Sequence, residues 1–178
     1  MDILGLHHFA YRCRDAEETR RFYEDLLGLP LVHLIRQDYV PSTGEYCPYV
    51  HIFFQMKDGS YIAFFDLGDD HASEPSPNTP AWVNHLALRL GSVQEVKDAK
   101  ARLEAAGIPV IGITDHKFIQ SIYFFDPNGI RVELTCETWG EEEKKKAPGH
   151  ARERLAEWTK EKEALRASGE MAKRNVSR

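Results

Sequence analysis

Cysteine is scarce in this chain and unpatterned: Cys13, Cys47 and Cys136 are odd in number and show no C-x-x-C spacing. That excludes a disulfide framework and a zinc–thiolate site, and leaves free thiols in a reducing compartment. No apolar run approaches the roughly 20 residues needed to span a bilayer. The start of the chain shows neither a charged lead nor a cleavage site, so a soluble, cytoplasmic protein with no membrane partner is expected. Basic charge is also in short supply, with 23 Lys+Arg against 28 Asp+Glu, scattered except near the C-terminus. This argues against a nucleic-acid footprint and for a small-molecule partner.

What is present is an internal repeat. Ile3 to Cys13 alternates as a strand, and Asp15 with Glu18 forms a capping box for a helix that buries Thr19, Phe22, Tyr23, Leu26 and Leu27 and stops at Gly28. Pro30 to Ile35 reads as a second strand, and Tyr49 to Met56 and Ser60 to Asp66 as a hairpin around Lys57-Asp58-Gly59. The second half follows the same plan. Leu6-His7-His8-Phe9-Ala10 matches Val83-Asn84-His85-Leu86-Ala87, Ser92 and Glu95 repeat the box, Gly107 repeats Gly28, and Gly129 repeats Gly59. From helix-ending Gly to hairpin Gly is 31 residues in the first half and 22 in the second, and the excess near Arg36 to Pro48 is a candidate lid or pocket wall.

The expected fold class is therefore α+β, two βαβββ modules whose eight strands form a cupped mixed sheet around one site. One domain covers residues 1–138, with module one at 1–67, a linker rich in Asp, Ser and Pro at 68–80 and module two at 81–138. Residues 139–178 form a charged, partly helical extension, with His150 to Ala167 amphipathic through Leu155, Trp158 and Leu165.

The chemistry gathers in Thr114 to Glu133. This stretch reads as a strand carrying Tyr123, a turn at Asp126-Pro127-Asn128-Gly129, and a strand from Ile130 to Leu134 in which Glu133 stands among apolar residues. A carboxylate so placed needs a partner. A lone strand histidine is usually a satisfied, half-buried side chain, but His8 and His85 occupy equivalent places in the repeat. Two imidazoles and a carboxylate make the facial triad of non-haem Fe(II) sites, which leaves adjacent positions open for substrate and O2.

The run Thr114-Asp115-His116, Ile122-Tyr123, Asp126-Pro127-Asn128-Gly129 and Glu133 resembles the signature of the type I extradiol ring-cleavage dioxygenases. The duplicated frame, from about Leu4 to Thr138, resembles the vicinal oxygen chelate (glyoxalase/bleomycin resistance/dioxygenase) superfamily to which they belong. The resemblance implies that His8, His85 and Glu133 bind Fe(II), or Mn(II), with O2 as co-substrate. It also implies that His116 and Tyr123 lie over a small aromatic diol, that the role is in aromatic catabolism, and that the chain forms a homodimer. Isomerases of the superfamily use a fourth ligand from the first module, where this chain has Ala63.

The two-domain dioxygenases carry an acid/base histidine near the hairpin turn of their catalytic half, where Gly59 and Ser60 stand here. His51 is the candidate replacement: Phe53 matches Tyr123, so His51 shares the face that looks into the cavity, and an imidazole titrating near neutrality suits proton transfer. His7 should point to the opposite face from His8, and His33, His71 and His150 have no partner in the repeat. Competing functions are another metal-dependent member of the superfamily, such as an isomerase, glyoxalase-like lyase or thiol transferase, and a ligand- or drug-binding protein without chemistry.

Overall fold

The computed structural model describes residues 1–169, and its two halves follow the same path. In the first, β1 (His8–Cys13) leads to Asp15, whose Oδ1 accepts from the Glu18 amide at 2.6 Å and so caps α1 (Ala16–Arg20). The helix continues as a π-helical turn, Arg21–Leu26, and the chain reverses at Gly28, whose φ of +80° only glycine adopts without strain. Then come β2 (Leu31–Tyr39), β3 (Tyr46–Gln55) and β4 (Tyr61–Asp66). The second half gives β5 (Leu86–Arg89), α2 (Val93–Ala105) capped by Ser92, β6 (Ile111–Asp115), β7 (Ile119–Phe125) and β8 (Arg131–Glu137).

The α+β class and the two βαβββ modules expected from the sequence are present, with the strands shared between two four-stranded mixed sheets ordered β1-β4-β3-β2 and β5-β8-β7-β6. In each, the first strand runs parallel to the fourth and the other pairs are antiparallel. The repeat holds at the level of register: Phe53 pairs with Ala63 as Tyr123 pairs with Glu133, and Ala10 faces Ala63 as Ala87 faces Glu133. Ala63 thus occupies the place of Glu133, and it is fully buried.

One apolar core joins the modules, running from Phe22, Phe54 and Phe64 to Ile122, Phe124 and Val132. Each such side chain stabilises the fold by about 1.5–3 kcal/mol on burial. A polar latch adds to it. Tyr23 Oη on the π-helical turn donates to Asp126 Oδ2 at 3.0 Å, Asn128 Nδ2 donates to Thr19 Oγ1 at 3.2 Å, and Asn128 Oδ1 accepts from the Arg14 amide at 2.9 Å. The turn after β7 is therefore docked on the helix of the other module.

Four expectations need correction. The first strand begins at His8, not Ile3, and Leu4 and Leu6 are exposed. The stretch from Arg36 to Pro48 is no free lid: β2 runs to Tyr39 and β3 begins at Tyr46, pairing Gln37 with Tyr49 and Tyr39 with Tyr46. Because β1 starts at His8, strand alternation does not reach His7; His7 turns back so that its Nδ1 lies 2.8 Å from His8 Nδ1. Finally, the tail helix α3 (Glu141–Ala167) starts well before His150, passes through Pro148 and has no buried residue. The end of that extension, 170–178, lies outside the described residues. Cys13, Cys47 and Cys136 are free, and no helix among the described residues is long and apolar enough to cross a membrane.

Candidate metal centre

Glu133 sits in the middle of β8, 3% exposed, with its two oxygens committed to different partners. Its Oε2 lies 2.9 Å from His85 Nε2, and its Oε1 accepts from Tyr123 Oη at 3.1 Å. His116 Nε2 stands 2.8 Å from the same phenol oxygen. Since the single Tyr123 proton goes to the carboxylate, His116 is the donor to Tyr123. Burial, with the Glu133 carboxylate adding, raises the Tyr123 phenol above its ordinary value of 10.0, which keeps it a proton donor. His85, Glu133, Tyr123 and His116, picked out from the sequence, thus form one hydrogen-bonded chain.

The state of His85 bears on what the site holds. Its Nδ1 is 2.9 Å from the Val83 carbonyl, an acceptor only, so Nδ1 carries a proton and Nε2 is left with its lone pair directed at the Glu133 carboxylate. Two acceptors at that distance need a proton or a cation between them. A backbone carbonyl on Nδ1 is also the usual device that fixes a histidine's tautomer for metal ligation through Nε2. His85 and Glu133 therefore supply two of the donors that a divalent cation needs.

His8 lies on β1, exposed, and its Nδ1 contact with His7 leaves Nε2 as its ligating atom. Its ring neighbours are module-one side chains, His51 at 6.0 Å and Phe53 at 5.7 Å between centroids. Among the described residues no three of His, Cys, Asp and Glu stand close enough together to hold a metal, so the structure groups His85 with Glu133 and leaves His8 among module-one side chains.

These side chains cluster on β3 and β4. His51 is 8% exposed, stacked on Phe65 at 3.6 Å and close to Phe53 at 4.2 Å, and its Nε2 is buried without a hydrogen-bond partner. The expectation that it titrates near neutrality is corrected. Burial, with His8 and His33 adding, pushes it down to about 4, so at neutral pH it is the free base.

Two residues were passed over in the sequence. His33 pairs with Phe53 across β2 and β3, its ring 5.6 Å from that phenyl, so it belongs to the His51 cluster, and strand alternation across the hairpin was the signal. Arg131, two residues before Glu133, lays its guanidinium over the Tyr123 ring at 4.3 Å. A cavity of about 990 Å3 lies elsewhere, between the Lys57-Asp58-Gly59 turn and α2, and includes none of the predicted site residues.

"Uncharacterized protein YwkD" of Bacillus subtilis strain 168 is 30% identical over 139 residues, a match covering 75% of this chain and 98% of that protein. "Putative ring-cleaving dioxygenase MhqA" of the same organism is 24% identical over 143 residues, 79% of this chain, which spans only 42% of that relative. Among solved structures, a variant of the fosfomycin resistance protein FosX from Listeria monocytogenes, complexed with Mn(II), has a TM-score of 0.56 and 22% identity, covering 80% of this chain and 98% of that one. This last likeness speaks for the fold alone. The profile of the Glyoxalase/Bleomycin resistance protein/Dioxygenase superfamily matches residues 5–134, and with the duplicated βαβββ architecture in place, the chain belongs to that superfamily.

Proposed function

We propose that the protein is an Fe(II)-dependent extradiol dioxygenase, which opens a catechol-type ring with O2 beside one of its hydroxyls. The observation that carries the reading is the chain His85–Glu133–Tyr123–His116, in which a tautomer-fixed imidazole and a buried carboxylate face one point while two proton donors stand beside it. His116, Tyr123 and Glu133 are among the residues that resemble the ring-cleaving signature, and the likeness to MhqA points the same way. Ala63, in the place of Glu133, removes a fourth ligand, which would be a second carboxylate, and so disfavours the isomerase alternative.

His85 and Glu133, with His8 as the second imidazole, would hold the cation, Fe(II) or in its place Mn(II). Bound iron supplies the electron exchange between a chelated diol and O2 that no side chain here can provide. Tyr123 Oη and His116 Nε2 hold protons where the substrate oxygens would lie and orient the ring by donating to them. His51 Nε2, unprotonated and free of protein partners, takes the second hydroxyl proton and returns it when the ring-opened product forms. Phe53 and Phe65 pack against its ring and hold it in place.

The test is anaerobic reconstitution with Fe(II), addition of catechol, a methylcatechol and a dihydroxybiphenyl, and admission of air. A yellow product with matching O2 uptake is expected. Absence of both across the panel, with iron shown to be bound, overturns the dioxygenase reading and returns the chain to the other metal-dependent chemistries of the superfamily.

A further inference from the structure

Arg131 begins β8 two residues before Glu133, so the alternation of the strand sets both side chains on one face. Its only interaction among the described residues is the cation–π contact with Tyr123, and no carboxylate there pairs with it. A guanidinium over an aromatic face keeps its in-plane N–H donors free. Those donors stand beside the carboxylate and imidazole of the candidate metal centre, on a half-buried side chain.

There is room next to it. A cavity of about 460 Å3 opens beside β1, the 73–84 segment and the β7–β8 hairpin, with His85, Phe125, Arg131, Ser76 and Thr79 in its lining. That volume is within the range of small-molecule sites. Glu74 also lines it, yet Glu74 and Arg131 form no ion pair. The charge count favours an anion. Glu133 and Arg131 cancel one another and Glu74 offsets one unit more, so one unit of a bound divalent cation's charge is left for the substrate to balance.

We infer that Arg131 makes the site select diols that carry a carboxylate, on the ring or on a short side chain, by accepting that group in the bidentate fork of its guanidinium. The inference rests on the reading of the site as a diol-binding metal centre and names the substrate class within it. Lysine would supply the charge without the planar fork.

The experiment is binding rather than turnover. Protein loaded with Mn(II) without O2 is titrated calorimetrically with catechol, protocatechuate and homoprotocatechuate, as wild type, Arg131→Met and Arg131→Lys. Wild type is expected to bind at least one carboxylated diol about tenfold or more tighter than catechol, the gain typical of a charge-assisted pair. Arg131→Met brings that ratio close to one and Arg131→Lys leaves it between. Equal affinities in wild type, or a preference that survives in Arg131→Met, overturn the inference while leaving the metal centre in place. If none of the three diols binds the loaded protein, the underlying reading fails instead, and the assignment of Arg131 with it.

Discussion

A buried imidazole nitrogen with nothing to bond to is held at a cost, on the order of 1–3 kcal/mol for an unsatisfied polar group. His51 Nε2 is in that state, while the rest of the ring is well packed on Phe65 and Phe53. Phenylalanine keeps the packing and removes the unsatisfied atom. His51→Phe is therefore expected to leave the urea midpoint unchanged or raise it, and to slow diol-dependent O2 uptake by about 100-fold or more, as loss of a general base does. Unchanged turnover would make His51 a packing residue. The site's residues differ in how far the sequence disclosed them. Glu133 stood out because a carboxylate in an apolar strand is costly unless paired, and His85 because its repeat mate His8 shares its place. Arg131 gave no such signal: a charged residue just after a turn is usually solvated, and only the Tyr123 ring beneath it shows otherwise.

At the scale of elements, the helices announce their starts. Asp15 and Ser92 each accept from the backbone amide three residues on, at 2.6 and 3.2 Å, and both were readable as caps. Asp15→Ala is expected to destabilise the protein by about 1 kcal/mol, lowering its thermal midpoint by a few degrees. A loss below a few tenths of a kcal/mol would mean that packing of Phe22 and Tyr23 alone fixes the segment. Strand lengths were less readable, for a physical reason. β2 is mostly exposed on both faces, so its residues show no alternation of polar and apolar character, and the Pro41-Ser42-Thr43-Gly44 run beside it reads as loop. The hairpin strands β3, β4, β7 and β8 bury one or both faces, and their presence, their turns and the match of Phe53 to Tyr123 and Ala63 to Glu133 followed from the repeat.

For the molecule as a whole, the Asp126-Pro127-Asn128-Gly129 turn has a structural part that sequence pattern did not reveal, since no periodicity within one module reports on what the other presses against it. Asp126 is buried and accepts four hydrogen bonds: from the Asn128 and Ile130 amides, from Asn128 Nδ2, and from Tyr23 Oη across the module boundary. Burial raises its carboxyl above the ordinary 3.8, and these donors hold it back down. Because the folded value lies above the unfolded one, Asp126's contribution is fully present below about pH 3.8 and is lost as pH rises through the folded value. Tyr23→Phe removes a donor that the ionised carboxylate needs most. It is expected to cost about 1–3 kcal/mol near neutral pH and clearly less near pH 4, measured by urea unfolding at both. The same latch positions β8, with Glu133, against the module that carries His8 and His51, although no strand hydrogen bonds join the two sheets. Tyr23→Phe should therefore also weaken Mn(II) binding, from a residue that touches none of the proposed ligands. Unfolding that loses stability equally at both pH values, with metal affinity unchanged, would reduce Tyr23 to ordinary core packing and detach the latch from the site.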